Sequence, residues 1–182
     1  MPLALLLSLA AQAAAPATFA ALPNITVTYY DVAGRDIAEI HKAITKAAPK
    51  DPATRAVLPA TSSWTMSIAV KSETTGNRCR IIGATLTFHG QATMPRLLPD
   101  KDRPAPVSAA FAAYAAKLEA RHAAQLRFAH ARMNEVEQAI RGSRCDKSEA
   151  AADAALGKLQ AAERAAFKSD EQSQPKLEEL EN

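Results

Sequence analysis

The stretch from Ser108 to Arg141 carries the longest uninterrupted helical pattern in the sequence and constrains the fold more than any other. Its apolar residues recur at the spacing of about 3.6 residues that lines one face of a helix. These residues are Phe111, Ala115, Leu118, Leu126, Ala129, Met133, Val136 and Ile140. His122 stands in this stripe where the next hydrophobic residue is due. A helix with such a stripe must bury it, so the rest of the chain is predicted to pack against this helix.

Before this helix the sequence has the patterns of β-strands. Residues Ile25 to Tyr30 are rich in β-branched and aromatic side chains, which favours a strand. Ser63 to Lys71 and Cys79 to His89 alternate apolar and polar residues, and the turn between them predicts a β-hairpin. Gly83 marks a place for a β-bulge. One face of the second run is expected to carry Ile82, Ala84, Leu86 and Phe88.

The remaining segments before the long helix read as one short helix and two connections. Asp36 followed by Glu39 resembles a capping box and predicts a helix start. Ala47 to Ala60 contains prolines and little apolar pattern, so it is predicted to be a surface loop. Gly90 to Pro106 is also rich in proline and is predicted to connect the sheet to the long helix. Ser108 is the expected N-cap of that helix.

After Gly142, which suits a helix C-terminus, Ser148 to Lys168 is predicted to form a second, alanine-rich helix. The fold class is therefore predicted to be α+β. In it a small antiparallel sheet packs on one long helix, with a short N-terminal helix and an alanine-rich C-terminal helix. A single domain is expected over residues 21–168. The acidic, polar segment 169–182 is predicted to be a disordered tail.

The N-terminal segment predicts export. An apolar run from Leu3 to Ala11 is followed by small residues, as in a signal peptide and its cleavage site, so residues 1–20 are predicted to be a signal peptide. The usual basic start is missing, since no Lys or Arg precedes Arg35. The run is too short to span a bilayer. The mature protein is expected in the periplasm or outside the cell, without a membrane span.

The chain has two cysteines, Cys79 and Cys145. Their even number and the predicted oxidising compartment favour a disulfide bond between them. Closing a loop of this size could stabilise the fold by about 4 kcal/mol in the chain-entropy view. Two separate buried thiols are the alternative. Two cysteines alone cannot form a structural zinc site.

Charge and motif content exclude several classes of function. The formal net charge is +3, and the arginines of the long helix alternate with acidic residues and alanines, which is typical of a solvated face. No basic stripe is interleaved with aromatic residues, so nucleic acid is not an expected partner. The scattered glycines form no phosphate loop, and no serine sits in a Gly-x-Ser-x-Gly turn.

The order of these motifs over about residues 25 to 168 resembles a bacterial domain-of-unknown-function family described as predicted secreted zinc-dependent proteases. The resemblance rests on Tyr30-Asp31-Val32-Ala33-Gly34, the helix with Ile37 and Ile40, the strands at Trp64 and Cys79, and Cys145 with Asp146. Such proteins carry a His-Glu-x-x-His motif on the long helix. Its two histidines can bind one zinc ion, and its glutamate can act as base toward zinc-bound water.

The resemblance places the first histidine of the motif on His122, the glutamate on Ala123 and the second histidine on Leu126. Alanine cannot accept a proton and leucine cannot coordinate zinc, whereas a catalytic zinc site needs three protein ligands. Residues 167–173 contain no histidine either, although family members tend to carry a Thr-x-His-Gly stretch after the last helix. The resemblance therefore implies a degenerate metal site that retains only His122.

The sequence contains three other candidate ligand sets. Glu119 and His122 have the spacing of a carboxylate-histidine pair, but no second such motif provides partners. His122 and His130 lie about 12 Å apart along a helix and cannot share one ion. A site reassembled from His41, His89 and His122 needs tertiary packing that the sequence does not reveal.

The sequence thus predicts an exported, disulfide-linked protein without an active metal site and without a cofactor. Its expected role is binding or another non-catalytic task, with a peptide or protein of the cell envelope as partner. One alternative is an active zinc metallopeptidase with non-standard ligands that include His122. Another is an envelope protein that assembles through its alanine-rich helices.

Overall fold

A three-stranded sheet covered by helices organises the fold. The computed structural model describes residues 17–171. The helices are α1 (Ala17–Ala20), α2 (Ile37–Ala47), α3 (Ala105–Ala131), α4 (Met133–Ile140) and α5 (Ser148–Glu171). The strands are β1 (Ile25–Val32), β2 (Thr61–Thr75) and β3 (Arg78–Leu97). Within residues 17–171, no helix is long and apolar enough to cross a membrane.

The predicted α+β class is confirmed, and the sheet is mixed. The strand order is β1-β3-β2. The hairpin strands β2 and β3 pair antiparallel as expected. Strand β1 pairs parallel with the second half of β3, from Ile25 opposite Gly90 to Val32 opposite Leu97. The sheet was predicted to be antiparallel because the sequence patterns identify strands but not which strand each one will pair with.

The prediction that a connector begins at Gly90 is wrong for the first half of that segment, because β3 continues to Leu97. Strand β1 supplies the hydrogen-bonding partner for this extension. Pro95 lies within it, beyond the point where Thr61 of β2 pairs with Thr93. Strand β3 has a neighbour on only one side there, which is the edge position that accommodates proline.

The single helix predicted over 108–141 consists of two helices. Helix α3 begins at Ala105, directly after Pro104, so Ser108 is not the N-cap and its N–H donates to the Pro104 carbonyl (3.3 Å). Proline in the first helical turn suits the start, since its missing N–H would have no partner there. The helix breaks at Arg132 (φ −102°, ψ 11°) before α4 continues. Gly142 has φ +84°, the left-handed conformation expected after a helix end.

Helix α2 begins as predicted. The Asp36 side chain accepts a hydrogen bond from the Glu39 N–H (2.8 Å), and the Glu39 carboxylate accepts one from the Arg35 N–H (2.7 Å). The first bond satisfies an N–H group that the first turn of a helix leaves without a partner, and the second holds the residue before the N-cap. Local sequence chemistry therefore sets the start of this helix.

The predicted bulge at Gly83 is confirmed. Because of it, Ile82 does not share a face with Ala84, Leu86 and Phe88 as predicted. The register of the hairpin shifts between Lys71 opposite Gly83 and Ser72 opposite Ile81. The extra residue reverses the alternation of side chains in the first part of β3. Ile81 is therefore buried at 2% exposure, while Ile82 is 36% exposed.

Two hydrophobic clusters form the core. The larger cluster lies between the sheet and helices α1, α2 and α3, and the smaller one joins the hairpin to α4 and α5. Trp64 and Met66 of β2 pack against both. The predicted disulfide is confirmed between Cys79 and Cys145, with Cα atoms 5.5 Å apart. It ties the start of β3 to the segment that leads into α5.

Both ends of the predicted domain extend into the flanking segments. Helix α1 belongs to the fold, since Phe19 and Leu22 are buried in the larger cluster. Most of the predicted signal peptide, residues 1–16, lies outside the described residues. Helix α5 continues to Glu171, and the rest of the predicted tail, 172–182, also lies outside them.

Candidate functional site

Ala123 and Leu126, onto which the resemblance places the glutamate and second histidine of a His-Glu-x-x-His motif, lie on the face of α3 that packs against the sheet. Ala123 and Leu126 are both 0% exposed and belong to the larger hydrophobic cluster. A Cβ atom built on Gly90 of β3 would lie 3.4 Å from Leu126 Cδ1, so helix and strand approach closely here. Both residues are therefore apolar core residues.

His122 is buried on the same helix at 6% exposure. Its Nδ1 lies 2.9 Å from the hydroxyl of Ser62, at the start of β2. The Ser62 hydroxyl also lies 3.1 Å from Gln125 Oε1, and Gln125 Nε2 donates to Glu163 Oε1 of α5 (2.7 Å). Trp64 Nε1 donates to the other Glu163 oxygen (2.7 Å). We call these five residues the buried polar chain.

The hydrogen bonds of the buried polar chain run toward the Glu163 carboxylate. Gln125 Nε2 donates to Glu163, so Gln125 Oε1 faces Ser62 and accepts its hydroxyl hydrogen. Ser62 donates its one hydroxyl hydrogen to Gln125 Oε1. It therefore accepts a hydrogen bond from His122 Nδ1–H. His122 is then the Nδ1–H tautomer with a bare Nε2. The reverse direction would leave Gln125 Oε1 without a donor, at a cost of about 1–3 kcal/mol.

This direction decides what the Ser62–His122 pair can do. A serine nucleophile needs a histidine nitrogen that accepts the hydroxyl proton. Here His122 donates to Ser62 instead. The pair therefore lacks the arrangement of a catalytic dyad, and its geometry is that of a structural hydrogen bond.

His122 is electrically neutral at ordinary pH. Burial, with a smaller contribution from the neighbouring Arg121 guanidinium, lowers the pKa of His122 from its ordinary 6.5 to about 4. Its Nε2 is buried and has no hydrogen-bond partner in the described part of the chain. A neutral histidine with a bare nitrogen is an acceptor for a donor group or a metal ion.

The other predicted ligand candidates do not join His122. His41 lies on α2, on a surface with Lys42 and Lys46, whereas His89 is exposed on β3. His130 packs edge-on against Phe88, with ring centroids 5.3 Å apart. Across residues 17–171, no three His, Cys, Asp or Glu side chains converge in a way that could hold a metal ion.

The remaining predicted candidate, Glu119, lies one helical turn before His122. Its carboxylate accepts a hydrogen bond from Thr18 of α1 (3.5 Å). Burial raises the pKa of Glu119. This residue therefore fastens α1 to α3.

A groove of about 640 Å³ opens above the buried polar chain. Its walls come from the loop before β2, the start of β2, α3 and the last part of α5. The lining residues are Leu58, Ala60, Thr61, Ser62, Arg121, His122, Gln125, Gln160, Glu163, Arg164, Ala165 and Phe167. The groove thus combines an apolar wall with buried polar groups, which is the composition of ligand sites.

Most of the buried polar chain was not identified from the sequence. Ser62 lies before the predicted strand yet alternates with Trp64 and Met66, which places it on the helix-facing side. Glu163 follows Ala155 and Leu159 at intervals of four residues in α5 and is 8% exposed. An acidic residue at a core position of an alanine-rich helix was the signal for a buried polar partner.

The fold and the site together define a small α+β protein with a polar chain buried beneath a groove. Residues 27–172 match the family model described as bacterial protein of unknown function, DUF922. The chain belongs to this family. No curated protein and no solved structure matches the chain significantly.

Proposed function

We propose that this protein is an exported, non-catalytic relative of secreted zinc-dependent proteases that acts by binding. One observation carries the proposal: Ala123 and Leu126 occupy the motif positions and are packed in the core at 0% exposure. A side chain buried in this way cannot deliver a proton or a metal ligand to the groove. The residues do not fit a zinc ion, since His122 is the one motif ligand that remains and a catalytic site needs three.

The ligand that suits the groove is an extended polypeptide segment of the cell envelope. Strand β2 lies at the edge of the described sheet, and its first residues, Thr61 and Ser62, line the groove. An edge strand offers backbone N–H and C=O groups to a peptide that adds as a further strand. Phe167 and Leu58 provide apolar contacts for its side chains.

The alternative is an active zinc peptidase with non-standard ligands. It is favoured by the hydrogen bond from His122 Nδ1–H to Ser62, which leaves Nε2 bare. Metal-bound histidines are typically held in this way, with the second ring nitrogen donating to a polar group. Under this alternative His122 binds zinc and the other ligands are non-standard groups.

Metal analysis of the purified mature protein separates the two functions. The non-catalytic proposal expects no stoichiometric zinc after equilibration with zinc and gel filtration, either in the wild type or in His122→Ala. His89→Ala is the matched control, because His89 is exposed and is not one of the residues that line the groove. Stoichiometric zinc in the wild type and in His89→Ala that disappears in His122→Ala would establish the peptidase alternative instead.

Peptide binding is tested with a reduced, alkylated, unfolded polypeptide as probe. NMR titration is expected to shift the backbone signals of Thr61 and Ser62. Leu58→Asp places a charge in the groove and should weaken binding by about ten-fold, equivalent to about 1.4 kcal/mol. Thr65→Asp, exposed on the other face of β2, should leave binding unchanged. Absence of binding, or equal weakening by both variants, contradicts a peptide ligand.

A further inference from the structure

A second concave surface lies at the far end of the hairpin, remote from the groove. It encloses about 610 Å³ and is lined by Asn77, Arg78, Cys79, Arg80, Arg144, Cys145 and Asp146. We call it the arginine pocket. Nothing in the proposed function uses it.

The backbone brings these arginines together. Arg80 and Arg144 are directly opposite each other in an antiparallel bridge. Hydrogen bonds on both sides of Ile81 fix this pairing, from Ile81 N–H to Ser143 O (2.9 Å) and from Gly142 N–H to Ile81 O (2.7 Å). The Cys79–Cys145 disulfide fastens the same two segments covalently. The fold therefore holds the backbones of Arg80 and Arg144 side by side, and both residues line the arginine pocket.

The positive charge of the arginine pocket is only partly balanced. Asp146 accepts two hydrogen bonds from Arg144, at 3.0 and 3.1 Å. Arg78 and Arg80 are exposed and form no ion pair within the described chain, although Glu73 lies opposite Arg80 in β2. Like charges placed opposite each other in a sheet are destabilising. An anion that binds between the arginines reduces this repulsion and so stabilises the folded protein.

Two further features favour an anion. Helix α5 begins at Ser148, directly after the segment that lines the arginine pocket, so the positive end of its dipole lies nearby. Guanidinium groups also present paired N–H donors that match the oxygens of phosphate and sulfate groups. A rigid, disulfide-clamped frame reduces the entropy lost when such a ligand binds.

We propose that the arginine pocket binds a phosphate- or sulfate-type oxyanion through Arg78, Arg80 and Arg144. The same chemistry is presented by a free ion and by the headgroup of an anionic phospholipid. The proposal is independent of peptide binding in the groove.

The test compares wild type with the double variant Arg78→Gln/Arg80→Gln in two assays. The first titrates inorganic phosphate at low ionic strength and follows the backbone NMR signals of Arg78, Arg80 and Arg144. The second measures cosedimentation with vesicles that contain phosphatidylglycerol. The control Lys42→Gln/Lys46→Gln removes the same charge from an exposed surface of α2. Thermal melts confirm that all variants are folded.

The proposal expects wild type and control to bind and the arginine variant to bind about ten-fold more weakly or worse, since the variant loses two guanidinium groups that donate charge-assisted hydrogen bonds. Binding in the phosphate assay identifies a free oxyanion as sufficient, and binding to vesicles alone identifies the lipid headgroup as the source. Absence of binding in both assays overturns the proposal. Equal weakening in the arginine variant and the control also overturns it, because the attraction would then be unspecific.

Discussion

At the scale of residues, the chemistry of this protein depends on how one buried histidine is held. Glu163 orients Gln125, Gln125 takes the proton of Ser62, and Ser62 accepts from His122. Each hydrogen bond fixes which group donates in the next one. The tautomer of His122 therefore depends on a carboxylate on another helix. The histidine is kept neutral because burial disfavours its charged form.

The lowered pKa of His122 predicts a loss of stability in mild acid. In the unfolded chain the histidine is protonated below about 6.5, whereas in the folded protein its pKa is about 4. Between these values the unfolded state binds more protons. The free energy of unfolding should therefore fall as the pH is lowered through this window, by up to about 1.4 kcal/mol per pH unit. Urea unfolding at several pH values measures it.

The control is His122→Gln, which cannot titrate and should lose this slope whatever its overall stability. Glu119 acts in the opposite sense, because burial raises its pKa and protonation then favours the folded state. Its contribution is common to both proteins and cancels in the comparison. An identical pH dependence in wild type and variant would mean that His122 is not held neutral in the fold.

At the scale of elements, the close approach of α3 to the sheet depends on a glycine. A Cβ on Gly90 would meet Phe88 at 3.3 Å and Leu126 at 3.4 Å, and would come closer still to Ile25 of β1. Gly83, in the same strand, has no atom within 4 Å of the corresponding position. The two glycines of β3 thus serve different purposes, close packing at one and a bulge at the other.

Gly90→Ala should destabilise the protein by about 1–3 kcal/mol, the usual cost of adding a methyl group to a packed core. Gly83→Ala is the matched control and should change stability by less than about 1 kcal/mol. Chemical denaturation at neutral pH measures both. Equal effects of the two substitutions would show that β1, β3 and α3 do not meet closely at Gly90.

Features of these helices and strands that depend on neighbouring residues were predicted from the sequence, and those that depend on distant residues were not. The capping box at Asp36, the bulge at Gly83 and the helix end at Gly142 were predicted because each depends on neighbouring residues alone. The extension of β3 to Leu97 was missed because it depends on pairing with β1, which is distant in the chain. The break at Arg132 was also missed, since the apolar stripe continues across it.

At the scale of the whole molecule, the two hydrophobic clusters share Trp64 and Met66, and the disulfide joins the hairpin to the start of α5. Helix α1 closes the larger cluster with Phe19, which is fully buried. The Thr18 carbonyl also accepts a hydrogen bond from Arg127 of α3 (3.2 Å). The folded unit therefore needs residues that the predicted signal peptide includes.

A chain that begins at residue 17 should be more stable than one that begins at residue 21. Loss of Phe19 from the core is expected to cost about 3–5 kcal/mol, as for other buried phenylalanines. Phe19→Ala in the longer chain should reproduce most of this loss, which separates the side chain from the helix. Denaturation of the three proteins measures the difference. Equal stability of the two lengths would place α1 outside the folded unit.

The sequence by itself determined the α+β class, most strands and helices, and the disulfide between Cys79 and Cys145. These features follow from periodicity, capping and residue chemistry, which act over a few neighbouring positions or through composition. Only the tertiary structure decided the parallel pairing of β1, the buried polar chain around His122, the groove and the arginine pocket. Each of these brings together residues that are far apart in the chain, and hydrophobic periodicity carries no information about which distant surfaces will meet.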